Sequence, residues 1–194
     1  MRREIDMKRV TVLSSGALLL LLFTLLVPVA FSQQPPAAAP ADIWAPFRVF
    51  VGTWKGGGEG TPGTGTGVQT FAFILRGTYL QVQNKTTIAP SAQNPKGEVH
   101  EDMGVFSYDK ARQKYVLRQF HVEGFVNQYV LENPPAEGQP FVFVSESIEN
   151  IPAGFKARLT YKFIDADAYE QTFDLAPPGQ EFTCYSKGVM KRVK

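Results

Sequence analysis

A chain of 194 residues with 20 Lys and Arg against 18 Asp and Glu carries a formal net charge of +2. Four of those basic and two of those acidic residues fall in the first 32, so the remainder is balanced and has no electrostatic footprint for nucleic acid. Cys184 is the single cysteine, which excludes an internal disulfide, and the length allows one domain with a self-sufficient core.

Met7-Lys8-Arg9 is a short basic head, followed by an uncharged stretch over 10–31 that includes "ALLLLLFTLL". Ala30-Phe31-Ser32 places small residues where a signal peptidase reads, so residues 1–32 read as a secretory signal cleaved after Ser32. Glu4 and Asp6 are foreign to a basic head and point to Met7 as the start. The competing reading is an uncleaved membrane anchor, since the stretch nearly spans a bilayer; Pro28 and the small-residue site favour cleavage. Residues 33–41, "QQPPAAAPA", read as a Pro/Ala linker, leaving 42–194 as the domain. Export without disulfides suits a periplasmic or secreted bacterial protein.

Before the first strand, Asp42 to Phe47 has the makings of one or two helical turns with Asp42 as N-cap. Trp44, Phe47 and Phe50 would then plug a barrel end. Beyond it, runs rich in Val, Phe, Tyr, Thr and Ile recur between Gly, Pro, Asn and Asp clusters. They cover 52–59, 68–76, 79–87, 99–108, 115–122, 125–131, 141–149, 157–164, 168–175 and 182–192. Arg76-Gly77-Thr78, Glu123-Gly124, "DKARQ" and "DAD" are the tight turns. Ten antiparallel strands joined by short turns make an all-β up-and-down meander, and such a meander removes its edges by closing into a barrel. A two-sheet sandwich is the alternative.

The first run, "GTWKGGGEG", sets Trp54 ahead of Gly56, Gly57, Gly58 and Gly60. Glycines let a strand bend sharply and another backbone approach closely. If Trp54 points inward, Gly56 and Gly58 do too, and either leave space above the indole or merely permit curvature. The last run ends "VMKR", with Arg192 on the alternating face of Met190, Gly188, Ser186 and Cys184. In a closed meander the last strand pairs with the first, so Arg192 would lie across Trp54 as a cation–π clasp.

"GTW" opening the first strand and an arginine closing the last resemble the calycin barrels, lipocalins and fatty-acid-binding proteins among them. "VGTWKGGGEG" more closely resembles the start of nitrobindin-like haem-binding barrels. That resemblance implies a ten-stranded barrel, a small-molecule pocket and haem as a cofactor, held by a histidine on the last strand. Here "FTCYSKGVMKR" has no histidine; Tyr185 or Cys184 stands in its place. Tyrosinate and thiolate both ligate haem iron. Strand parity with Arg192 turns Cys184 inward, unless a bulge reverses it.

His100 and His121 are the only histidines. His100 alternates with Asp102, Gly104 and Phe106, and the "DKARQ" hairpin places His121 opposite Glu101 or Asp102. They form either an acid–base or metal constellation or a pair of solvated rim residues. No HxH or HExxH spacing occurs, so no metal is assigned. Glu146 shares a face with Val142, Val144 and Ile148, and Arg158 on the next strand is its expected partner, inside as a head-group clamp or outside as a surface pair. There is no GxSxG, no phosphate loop and no histidine near Cys184, so no catalytic residue is assigned.

The sequence therefore predicts a barrel holding a small, largely apolar molecule. Its expected ligand-binding residues are Trp54, Phe71, Phe73, Phe106, Gln119, His121, Tyr129, Glu146, Arg158 and Arg192, with Leu75 and Phe143 completing the lining. A haem enzyme, an enzyme using His100, His121 and Glu146, and a filled structural barrel are the competing readings. The expected partners include no nucleic acid, and a membrane only through an uncleaved signal.

Overall fold

The computed structural model describes residues 42–194 apart from Gln93 and Pro134; the signal and linker assignments lie outside the described residues. A 3-10 helix, Ala45–Phe50, leads into ten strands: β1 (Gly52–Gly60), β2 (Gly65–Ile74), β3 (Tyr79–Ile88), β4 (Glu98–Asp109), β5 (Lys114–His121), β6 (Val126–Leu131), β7 (Phe141–Glu149), β8 (Lys156–Asp165), β9 (Ala168–Ala176) and β10 (Thr183–Arg192). Each pairs antiparallel with the next, and β10 returns to β1, so the meander closes into a barrel with no free edge. The expected fold holds, and the sandwich does not.

Alternation drives the closure. In β6, Asn127, Tyr129 and Leu131 are buried while Val126, Gln128 and Val130 are only partly so; in β8, Ala157, Leu159 and Tyr161 take the inner face. The helix begins later than its sequence suggested. Asp42 does not cap it; its Oδ1 accepts from the Trp44 amide at 3.0 Å and its Oδ2 from Arg48 Nε at 2.9 Å. Trp44, Phe47 and Phe50 are buried, and Phe47 and Phe50 lie against Phe71, Phe106, Phe141, Phe143 and Tyr161. This aromatic plug closes the barrel end where β1 begins.

The seam is built as the terminal residues suggested. Trp54 pairs with Arg192, whose guanidinium carbon sits 4.1 Å from the indole centroid. Arg192 also donates to the carbonyls of Val51 at 2.7 Å, Val49 at 2.8 Å and Ala166 at 3.0 Å, tying the helix and the β8–β9 turn to the last strand. Three register shifts interrupt the ladder, at Glu146 in β7, Ile164 in β8 and Tyr185 in β10. A bulge inserts one residue and reverses which side chains face inward beyond it.

Candidate functional site

Opposite the plug, the barrel opens into a cavity of about 480 Å³. The start of β4, the end of β5 and the start of β6 form its polar wall; the other seven strands and their adjoining turns supply the rest. Val82, Ile148, Leu159, Tyr161, Phe173 and Met190 give it apolar surface, and Gly65 and Gly67, on the inner face of β2, leave room where side chains would otherwise project.

The polar wall is one connected cluster. Asp102 and His121 are cross-strand partners, as the "DKARQ" hairpin predicted. Asp102 Oδ1 accepts from Gln119 Nε2 at 2.8 Å, and Oδ2 from Asn84 Nδ2 at 2.7 Å. His100 Nε2 stands 3.4 Å from Asp102 Oδ2 and 3.4 Å from His121 Nδ1, while His100 Nδ1 is 2.7 Å from Glu123 Oε1. His121 stacks on Phe125 at 4.2 Å, and its Nε2 lies 3.2 Å from the Asn127 carboxamide. Asn127 is 2% exposed, and its Oδ1 has no hydrogen-bond partner among the described residues; Asn84 Oδ1 is orphaned likewise. A buried acceptor left unpaired costs about 1–3 kcal/mol, so it marks a place built for something further.

Electrostatics separates the two histidines. The hydrogen bond to Asp102, reinforced by Glu123, pushes His100 up to about 9 against the opposing effect of its burial. Burial holds His121 below its ordinary value. Burial pushes the Asp102 carboxyl up, but hydrogen bonds from His100, Asn84 and Gln119 outweigh it and leave the group below the usual range. NMR of the imidazoles is expected to show His100 titrating near pH 9 and His121 below its ordinary value. A raised folded-state pKa means that His100's contribution to stability is complete below about pH 6.5 and is lost as pH rises through about 9. Denaturation midpoints of wild type and His100→Gln should therefore converge with rising pH over that window; a constant difference would contradict it.

The residues singled out from the sequence divide into three groups. Gln119 and His121 line the cavity. Trp54, Phe71, Phe106, Tyr129 and Phe143 are buried in the packed layer beneath it and do not line it. Trp54 meets Tyr169, whose hydroxyl donates to Gln69 Oε1, and only Gln69 and Gln171 reach the cavity. Trp54 is therefore one layer deeper than the expected floor. Phe73 packs on Trp44 at the plug, and Leu75 is 70% exposed in the β2–β3 turn.

The expected Glu146–Arg158 pair does not form. Glu146 faces outward, accepting from Arg112 Nη1 at 2.7 Å and Gln128 Nε2 at 3.1 Å. Arg158 donates from Nε to Asp174 at 2.8 Å and lies over Phe182. The physical reason is register: Arg158 lies opposite Val144 on β7 and directly opposite Asp174 on β9, which takes its guanidinium. Val142, Val144 and Glu146 share the outer face, and the residue inserted at the β7 bulge turns Ile148 inward, so the apolar neighbours that made Glu146 look internal are on two different faces. Arg192 works at the seam, away from the cavity.

The last-strand bulge likewise reverses Cys184 and Tyr185. Cys184 is exposed, while Tyr185 lines the cavity, edge-on to Phe173 at 5.8 Å. The fit to haem fails on charge. The mouth carries Glu59, Glu98 and Glu123 against Lys187, which is engaged by Glu170 at 2.9 Å. Haem propionates beside Tyr185 would meet net negative charge, and the cavity histidines are already held by Glu123, Asp102 and Asn127.

Sequence reasoning missed Gln69, Asn84, Glu123 and Gln171, assigned no role to Asn127, and weighed Asp102 beside His100 without assigning it one. The available signal was parity: Gln69 shares a face with Phe71, and Asn127 with Tyr129, each on the inner side of a strand at the end remote from the plug.

No protein-family model matches the chain, and no curated protein matches it. Among solved structures, the crystal structure of Rv2717c from M. tuberculosis is similar at a TM-score of 0.58 and 17% identity, covering 80% of this chain and 100% of that one. The S-type phycobiliprotein lyase CPES from Guillardia theta reaches 0.48 at 11% identity, covering 76% of this chain and 90% of that one. A redesigned β-barrel, mFAP0, bound to DFHBI, reaches 0.42 at 10% identity, covering 75% of this chain and 100% of that one. At such identities the likeness is one of fold, and the chain is an antiparallel ten-stranded barrel similar in architecture to the M. tuberculosis protein.

Proposed function

We propose that this protein is an exported binding barrel that holds a small molecule with a largely apolar body and one hydrogen-bonding head group. The observation that carries this reading is the open cavity, of about 480 Å³, with apolar walls and a convergent polar cluster that retains an orphaned acceptor on Asn127. Pockets of this size, mostly apolar with a few placed polar groups, are what small-molecule sites look like. The apolar surface of Ile148, Leu159, Phe173 and Met190 takes the body, and Gln119, Asn127 and Gln171 face the head group. The acidic mouth favours a neutral or cationic ligand. The calycin resemblance of "GTW" and Arg192 supports the same use of the barrel. The signal pattern of residues 1–32 supports a periplasmic or secreted location, tested by sequencing the N-terminus of the processed protein, expected at Gln33.

The test uses Nile red, a neutral apolar dye. Wild-type protein should bind it with a blue-shifted emission, and Ile148→Trp, which fills the cavity from a partly exposed position, should abolish that component. Equal emission from the two proteins would remove the reading. Hemin added to the protein should give no shifted Soret band; a stoichiometric one would restore the haem chemistry of the nitrobindin-like barrels.

A further inference from the structure

The geometry points to a divalent metal site in the cavity wall, formed by His100 Nε2, Asp102 and His121 Nδ1, with an open coordination position facing the cavity. One ligating atom from each of the three residues lies within 4.8 Å of the others. Donors held on a tetrahedral zinc ion are spaced roughly 3.3–3.6 Å apart, given the usual bond lengths of 2.0–2.2 Å. His100 Nε2 lies 3.4 Å from both Asp102 Oδ2 and His121 Nδ1, so two edges of that tetrahedron already exist. Three protein ligands of the types His, His and Asp, all lining a cavity, leave a fourth position for water or a ligand's donor atom.

The surroundings are those a metal requires. A ligating histidine gives its other ring N–H to an acceptor that fixes its tautomer. Glu123 Oε1 stands 2.7 Å from His100 Nδ1. With a metal on Nδ1, His121 carries its proton on Nε2, and a half-turn of the Asn127 carboxamide brings the orphaned Oδ1 to that N–H. The Tyr129 hydroxyl, 2.7 Å from the same carboxamide, can then donate to that oxygen as well. A metal on Nδ1 thus fixes the tautomer whose Nε2–H supplies a donor to this 2%-exposed acceptor. Gln119 and Asn84 hold the Asp102 carboxylate in place. The acidic mouth that repels haem propionates attracts a cation. The ligand set of nitrogen and carboxylate suits zinc, cobalt or nickel rather than calcium.

The inference stands apart from the apolar ligand, and its test uses the metal alone. Cobalt(II) chloride is titrated into the full chain after EDTA treatment and dialysis, with absorption read in the visible. The expected result is one equivalent of cobalt with the intense bands of a four-coordinate ion, displaced by zinc. His121→Ala should weaken binding by roughly 100-fold or more, and Glu123→Gln, at an exposed position that does not endanger folding, by about 10–100-fold. Glu98→Gln should change it by less than about threefold. No cobalt bands in the wild type would overturn the site. So would binding that survives His121→Ala but is lost in Glu98→Gln, because the ion would then sit at the rim cluster of Glu98, His100 and Glu123. Nile red binding without cobalt binding, or the reverse, separates this inference from the binding reading.

Discussion

Trp54→Ala is expected to lower the free energy of unfolding by about 3–5 kcal/mol. The indole is fully buried, edge-on to Tyr169 at 4.7 Å and Phe163 at 6.1 Å. Its Nε1 donates to the Phe50 carbonyl at 2.7 Å, and Arg192 covers its face. Alanine would open a cavity at the junction of the plug, the first strand and the last. Trp54→Phe separates the contributions. It keeps most of the apolar burial but leaves the Phe50 carbonyl unpaired, a loss of about 1–3 kcal/mol. Urea denaturation followed by far-UV circular dichroism measures both. If Trp54→Ala left the midpoint where it was, the indole would not be the anchor of the seam.

Gly56→Ala is expected to destabilise the barrel by about 3 kcal/mol, at the upper end of what overpacking costs. A Cβ there would stand 1.9 Å from the Val189 carbonyl oxygen and 2.9 Å from Met190 Cα, and one at Gly58 would stand 2.2 Å from the Lys187 carbonyl oxygen. These are backbone atoms of β10, so no rotamer change relieves the contact; the seam must part or shift. Gly67→Ala is the control within the same glycine-rich region. Its Cβ would stand 3.3 Å from the Thr86 hydroxyl and no closer than 3.7 Å to any backbone atom, and its effect should stay within about 1 kcal/mol of wild type. Thermal melts of the three proteins decide it. Equal losses at Gly56 and Gly67 would mean that glycine serves here only as a flexible residue.

The glycines after Trp54 thus serve close backbone approach rather than open space. Gly56 and Gly58 let β10 approach the first strand, while Gly65 and Gly67 of β2 leave the cavity its room. The choice between curvature and space depends on where the partner strand's backbone lies, and one strand read alone does not contain that position.

Alternation, turn residues and the two ends of the domain were enough, by themselves, to predict ten antiparallel strands, the aromatic plug and, given a closed ring rather than a sandwich, the Trp54–Arg192 clasp. Each rests on contacts between neighbouring strands or on period-two burial, which the order of residues encodes directly. What only the tertiary structure decided lies beyond the bulges and across the barrel. The extra residue at Glu146 put Ile148 in the cavity while Glu146 kept the outer face of Val142 and Val144, and the one at Tyr185 exchanged that tyrosine with Cys184. A bulge is one residue of hydrogen-bond mismatch with no strong compositional mark, yet it inverts parity for the rest of its strand. The cluster of Asn84, His100, Asp102, Gln119, His121, Glu123 and Asn127 draws on four neighbouring elements, and only the register of β3 through β6, together with the turn between β5 and β6, sets their side chains within reach of one another.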